Sequence, residues 1–370
     1  MLSRHTCRPD LLVRQHRPLR RTPVDRDLRL IGQATLIELQ EYPLRPADKV
    51  LTSAVKSLQL TCQSARSDPP DGGGMILPSK FGLSVALATP FDGNSDIALD
   101  AMIAQGRRCL AAGCGSVTLF GTTGEGSSIG SRERERVLAA FLDAGIAAEN
   151  IIAGVLVDSV EDAAIQAGHA LSLGARNILL APPSYFKNVG DDGVFQWFSA
   201  VFAMLGDRAR GIIVYNIPSI TMVPLTVSLI GRLRSAFPHI VTGVKDSSGD
   251  WPFTESLLKA HRDLIILIGD ERHLARGVRL GGQGAISGMA NFVPHDVKLM
   301  AEDGKDDPRI EAFVDELLKY PVVPAVKAMV AHQTSDEIWL AVRPPLVSIS
   351  GGERAKLARA FDSLFRSKAA

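Results

Sequence analysis

A lysine that closes an apolar, β-branched run is the first residue on which chemistry can be argued. Ile240–Val244 ends at Lys245, followed by Asp246-Ser247-Ser248-Gly249-Asp250. An amine at a water-poor strand end loses solvation of its charged form, so its pKa falls below the usual ~10.4. The neutral amine can then attack a ketone and form a Schiff base. The bland alternative is a salt-bridged lysine, with Asp246 or Asp270 as partner. The chain has only four tyrosines, and two of them lie at the ends of apolar runs. Tyr215 closes Ile212–Tyr215, and Tyr185 follows Asn177–Ala181 through Pro182-Pro183-Ser184. A phenol so placed can donate and accept a proton, or it can simply pack. A fourth run, Ser116–Phe120, leads into Gly121-Thr122-Thr123-Gly124-Glu125-Gly126. Two glycines around two threonines let the backbone turn tightly, so that amides and hydroxyls converge on an anion. A nucleotide P-loop is excluded, because Ser127 and Ser128 stand where Lys-Ser/Thr is required.

Positioning these groups requires a regular scaffold. From residue 82 onward, short apolar runs alternate with amphipathic stretches. The predicted strands are Gly82–Thr89, Ser116–Phe120, Ile151–Val155, Asn177–Ala181, Ile212–Tyr215, Ile240–Val244, Leu264–Ile268 and Gly284–Ser287. Helical periodicity is predicted over 97–112, 132–147, 160–173, 193–205, 224–236, 251–261 and 272–280. Ser131, Asp158 or Ser159, and Asp250 suit N-caps. Continuous apolar strands joined by helices indicate a parallel sheet, and eight such units suit a closed (β/α)8 TIM barrel (residues 75–293). Residues 294–370 read as additional C-terminal helices packed outside it. In such a barrel the chemistry sits at the C-terminal strand ends, which is where Lys245, Tyr215, Tyr185 and the Gly-Thr-Thr-Gly loop fall. Gly281-Gly282-Gln283-Gly284 precedes the eighth strand and belongs to the opposite face. Asp270-Glu271 follows the seventh strand, where a supporting role is open.

Composition narrows the function classes. The 370 residues carry Lys+Arg 41 against Asp+Glu 40, a net charge of +1, so nucleic acid and acidic membrane have no electrostatic footprint. Mean hydropathy is +0.11, and no apolar run approaches the roughly 18–20 residues that span a bilayer. Four cysteines (Cys7, Cys62, Cys109, Cys114) show no CxxC or zinc spacing. A reducing, cytoplasmic location is the simpler reading. His169, His261 and His332 fall in predicted helices, and no metal site is expected.

Residues 1–74 stand apart. Eight arginines crowd positions 4–29, no lysine occurs until Lys49, and Pro9, Pro18, Pro23, Pro43 and Pro46 interrupt any helix. The stretch ends in Asp68-Pro69-Pro70-Asp71-Gly72-Gly73-Gly74, a linker composition. It can be a targeting peptide, a regulatory tail, or codons upstream of a true start at Met75. The GGN codons of the three glycines suit a ribosome-binding sequence. Composition favours the last reading or a disordered tail, and a secretory signal is excluded by the missing apolar core.

The ordered motifs Gly121-Thr122-Thr123-Gly124-Glu125, Tyr215-Asn216-Ile217-Pro218 and Gly243-Val244-Lys245-Asp246 resemble the dihydrodipicolinate synthase / N-acetylneuraminate lyase family of pyruvate-dependent class I aldolases. Leu280 through Ser287 and Arg343-Pro344-Pro345-Leu346 agree more weakly, and the resemblance runs from about Phe81 to Phe365. It implies that Lys245 forms an imine with the keto carbon of pyruvate, with no other cofactor. Gly121, Thr122 and Thr123 would hold the carboxylate, and the Ile286 carbonyl would face the site. Tyr215 would shuttle protons, extended by Thr123 and by Tyr185, which in the family reaches across a dimer contact. A homo-oligomer, dimer or tetramer, is implied as well.

Two departures bear on the second substrate. In dihydrodipicolinate synthases an arginine gripping that substrate's carboxylate follows the Tyr-Asn-x-Pro-Ser stretch; here the position is Ile220, which offers no bidentate fork. The aromatic that usually precedes the relay tyrosine is Ser184. The expected reaction is therefore C–C bond making or cleavage between pyruvate and another aldehyde or 2-keto acid. 4-Hydroxy-tetrahydrodipicolinate synthesis, a family dehydratase or deaminase, and a non-catalytic pyruvate-like binder are the alternatives.

Overall fold

The computed structural model describes residues 80–366, and the reading of 1–74 as a leader falls outside them. Eight strands close in chain order into a barrel, each parallel to both neighbours. They are β1 (Gly82–Ala86), β2 (Ser116–Leu119), β3 (Ile151–Val155), β4 (Asn177–Leu180), β5 (Ile212–Asn216), β6 (Val241–Asp246), β7 (Ile265–Ile268) and β8 (Gly284–Ser287). Between them run α1 (Leu99–Ala111), α2 (Ser131–Asp143), α3 (Val160–Ser172), α4 (Asp191–Leu205), α5 (Val227–Ala236), α6 (Trp251–Ala260) and α7 (Glu271–Arg279). Among the described residues, no helix is long and apolar enough to cross a membrane.

The strands are apolar throughout because both of their faces are covered. Successive side chains point to opposite sides. Ile152, Leu179, Ile213, Leu267 and Ile286 fill the barrel interior. Leu180, Val214, Val244 and Ile266 pack outward against the helices. Each such fully buried side chain contributes about 1.5–3 kcal/mol.

Helix starts follow local chemistry with one correction. Ser159 Oγ accepts from the Asp162 amide and Asp250 from that of Phe253, as expected of N-caps. Ser131, however, is the first helical residue of α2; Gly130 precedes it, and the Glu133 carboxylate accepts the Gly130 amide. His261 likewise falls just past α6 rather than within it, and a ring nitrogen meets the Val227 carbonyl.

Beyond the barrel lie α8 (Pro294–Asp303), α9 (Pro308–Leu317), α10 (Val322–Thr334) and α11 (Gly351–Phe365). Phe292, Phe313 and Phe361 meet edge-to-face, with centroids 5.3–5.9 Å apart, locking α9 and α11 together. Residues 323–331 of α10 are all buried. A helix covered on every side is an interior element rather than a surface layer.

The barrel seam depends on one glycine. Gly284 opens β8 at φ +136°, and a methyl group on its α-carbon would lie 1.9 Å from the Gly82 carbonyl oxygen. Gly284→Ala therefore combines a clash with a strained backbone and should cost about 3 kcal/mol. A fall in the urea midpoint at unchanged slope is the expected reading; an unshifted midpoint would contradict this account of the seam.

Candidate active site

β5 and β6 are paired so that Tyr215 lies opposite Lys245 and Asn216 opposite Asp246. Partners in a parallel ladder share a face, so phenol and amine enter the barrel mouth together. Lys245 is 6% exposed, and its Nζ donates to Tyr215 Oη at 3.3 Å. The same phenol lies 3.3 Å from Thr122 Oγ1, where either oxygen can be the donor. A continuous path of polar atoms thus joins β6, β5 and the loop after β2.

The salt-bridge alternative for Lys245 is not realised. Asp246 accepts from Asn216 Nδ2 at 2.9 Å, the Ser248 amide at 3.1 Å and Thr254 Oγ1 at 2.6 Å. Asp270 pairs instead with Arg272 at 2.7 Å. Both acids that could have pinned the amine are occupied by other donors.

The Gly-Thr-Thr-Gly loop is built differently from the expectation. Its left-handed residues are Phe120 (φ 60°) and Glu125 (φ 55°), not Gly121 or Gly124. Close approach requires Gly124 and Gly126: a methyl group would fall 2.7 Å from the Leu87 carbonyl oxygen at the first and 1.8 Å from the Phe120 carbonyl oxygen at the second. The Gly126 and Glu125 amides close the loop on the Gly121 and Thr122 carbonyls, both at 3.0 Å. Among the described residues, the Thr122 and Thr123 amides bond no protein acceptor. Behind the loop Arg134 is buried, donating to the carbonyls of Gly126 (2.6 Å), Gly154 (2.7 Å) and Ile129 (3.1 Å). Burial pushes this guanidinium down to about 10. Sequence reading missed it, since an arginine inside a helical period looks like surface.

The remaining predicted residues divide. Ile286 is buried in the inner cluster that contains Tyr215. Among the described residues the Thr123 hydroxyl makes no hydrogen bond to the Tyr215 phenol; the threonine hydroxyl beside it is that of Thr122. A methyl group on Gly288 would sit 3.4 Å from the Thr123 hydroxyl. Tyr185 is 77% exposed, stacks edge-on against Phe186, and its phenol bonds nothing among the described residues. Its loop is held by Asp158, whose Oδ1 accepts the Ser184 and Tyr185 amides. Ile220 is exposed on the helical turn Pro218–Thr221. Glu271 is the acid that sequence left open: it is buried, and its Oε1 accepts Ser287 Oγ at 2.6 Å.

Comparison with known proteins decides the family. The profile of the dihydrodipicolinate synthetase family matches residues 80–364. The chain belongs to that family. It is similar to an uncharacterised DapA-like lyase of Chloroflexus aurantiacus, 32% identical over 293 residues, covering 76% of this chain and 96% of the relative. Among solved structures, a dihydrodipicolinate synthase from Agrobacterium tumefaciens is 66% identical with a TM-score of 0.77, covering 78% of this chain and all (100%) of that one. A 2-keto-3-deoxygluconate aldolase of Sulfolobus solfataricus shares the fold at 17% identity, with a TM-score of 0.67 and coverage of 76% and 95%. This synthetase-family barrel is accordingly an enzyme, a lyase of the class I aldolase type.

Burial raises the Glu271 pKa above its ordinary 4.5, outweighing the Ser287 hydrogen bond. As pH climbs past 4.5 the folded protein therefore holds more protons than the unfolded chain, and stability falls until the raised pKa is passed. Glu271→Gln keeps an acceptor for Ser287 without the ionisation. Its melting temperature should gain on the wild type through that window and then run parallel to it. A difference that stays constant with pH would contradict the assignment.

Proposed function

We propose that this enzyme captures pyruvate as an imine on Lys245 and makes or cleaves a C–C bond between the pyruvate methyl carbon and an aldehyde or related 2-keto acid. The observation that carries the proposal is the Lys245–Tyr215–Thr122 path of hydrogen-bonding atoms at the barrel mouth. The ε-amine adds to the keto carbon, and Tyr215 protonates the departing hydroxyl, which leaves as water. The protonated imine withdraws electrons, so loss of a methyl proton gives an enamine that attacks the second substrate. Reversal of these steps cleaves the same bond. One phenol serves as acid and base because Thr122 can return the proton to it.

The pyruvate carboxylate is assigned to the Thr122 and Thr123 amides, which are unclaimed by protein acceptors among the described residues. Arg134 adds positive potential behind them, and Gly121 and Ile286 complete the walls. No further cofactor or metal enters the proposed chemistry. Tyr185 joins only if a second copy brings a partner surface to it. The exposed Phe186, Ile220 and Met222 beside it favour a homo-oligomer. We assign the protein to the cytoplasm, with a small 2-keto acid as its ligand.

A second reading is 4-hydroxy-tetrahydrodipicolinate synthesis from pyruvate and aspartate semialdehyde. It is favoured by the likeness to the Agrobacterium tumefaciens dihydrodipicolinate synthase and to a 4-hydroxy-tetrahydrodipicolinate synthase of Hyphomonas neptunium, 32% identical over 225 residues. Against it stands Ile220, which offers no cation to a second carboxylate.

Borohydride reduction in the presence of pyruvate tests the core of the proposal. One pyruvate-derived adduct is expected on Lys245 by mass analysis, absent in Lys245→Ala; a folded wild type without adduct would make the barrel a binder. Tyr215→Phe should lower kcat by about 10²–10⁴, and an undiminished kcat removes the phenol from the mechanism. Assay of aspartate semialdehyde against a panel of sugar-derived aldehydes and 2-keto acids separates the two reactions, rapid condensation of the semialdehyde favouring the second.

A further inference from the structure

The loop gripped by Arg134 on one side is held on the other by a second buried cation, supplied from outside the barrel. Glu125 sits in the left-handed region at φ 55°, ψ 34°, and its side chain is fully enclosed. Its Oε1 accepts from Lys327 Nζ at 2.6 Å, and its Oε2 accepts the Arg343 amide at 2.8 Å. Lys327, on α10, is 0% exposed, with its ammonium 4.5 Å from the centre of the Phe91 ring. The Arg343 guanidinium covers the same ring at 4.5 Å and reaches the Ser128 carbonyl and the Glu133 carboxylate, each at 2.8–2.9 Å.

Two fully desolvated charges are a poor means of merely attaching a helix. An apolar pair of similar volume would often stabilise the fold as well or better. What the ion pair supplies is direction. A carboxylate held at both oxygens fixes the position and the rotation of residue 125. The peptide planes just before it are then confined between that anchor and the Tyr215 hydroxyl. A non-glycine residue with positive φ is sparsely populated unless its surroundings impose it, and here α10 imposes it.

We propose that Lys327 is a positioning residue for the substrate carboxylate site: through Glu125, α10 sets the orientation of the Thr122 and Thr123 amides. The C-terminal helices are thereby part of the active site. This inference rests on the reading of residues 121–125 as the carboxylate holder.

The test compares wild type with Lys327→Met, Glu125→Gln and the double variant Lys327→Met/Glu125→Met. The readouts are trapping on Lys245 by borohydride across a pyruvate series, and thermal melting. The double variant replaces the buried pair by two apolar side chains and removes the penalty of a lone buried charge. Its half-saturating pyruvate concentration should rise about tenfold or more, with trapping at saturation within about threefold of wild type, the signature of lost ground-state binding. If it does not fold, Glu125→Gln, which keeps the shape of the side chain, carries the same test. A folded variant with wild-type half-saturation overturns the inference, as does loss of trapping at saturation with half-saturation unchanged. Failure of the wild type to trap overturns the carboxylate-site reading itself, and this inference with it.

Discussion

The active centre depends on a one-residue slip between two strands. Ile212 pairs with Val241, but Ile213 pairs with Gly243, so Thr242 is an extra residue in β6. Such a bulge changes the phase of every side chain beyond it. Val241 and Val244 both face the helices, while Gly243 and Lys245 share the side of Ile213 and Tyr215. An unslipped ladder would pair Tyr215 with Val244 and turn the lysine outward. The amine meets its phenol because the strand is irregular.

Charge is distributed with similar economy around the mouth. Acids next to the lysine are satisfied by neutral donors or by another cation, which leaves the amine without a counter-ion in contact among the described residues. The loop after β2, by contrast, is flanked by Arg134 and by the Lys327–Glu125 pair. Arg134 donates to carbonyls and has no carboxylate partner among the described residues. Cationic potential behind the Thr122 and Thr123 amides, which bond no protein acceptor among the described residues, suits an anionic ligand.

Much of the fold was legible because parallel barrels write themselves plainly. β2 to β8 end within about two residues of their predicted ends; β1 does not, because its apolar run continues to Thr89 after the strand stops at Ala86. Its later residues stay buried against the loop after β2: the Thr89 hydroxyl donates to the Gly124 carbonyl. Hydrophobicity reports burial, and a buried loop reads like a strand. Ser131 was misplaced because a glycine can precede a helix when the capping acceptor comes from Glu133. The resemblance put Thr123 in the relay, whereas Thr122 Oγ1 is the hydroxyl that lies 3.3 Å from the phenol; which of two adjacent threonines turns toward it depends on the folded loop and not on residue type.

What the amino-acid sequence determined alone was the alternation of elements, the closed barrel it implies, and the identity of the groups available at the strand ends. Those follow from local periodicity and residue type. Tertiary structure decided which groups meet: the pairing of Tyr215 with Lys245, the occupation of Asp246 and Asp270, the burial of Arg134 and Glu271, and the reach of Lys327 across 202 residues to Glu125. Register, desolvation and long-range ion pairing arise only when distant segments share one interior, and no local pattern encodes them.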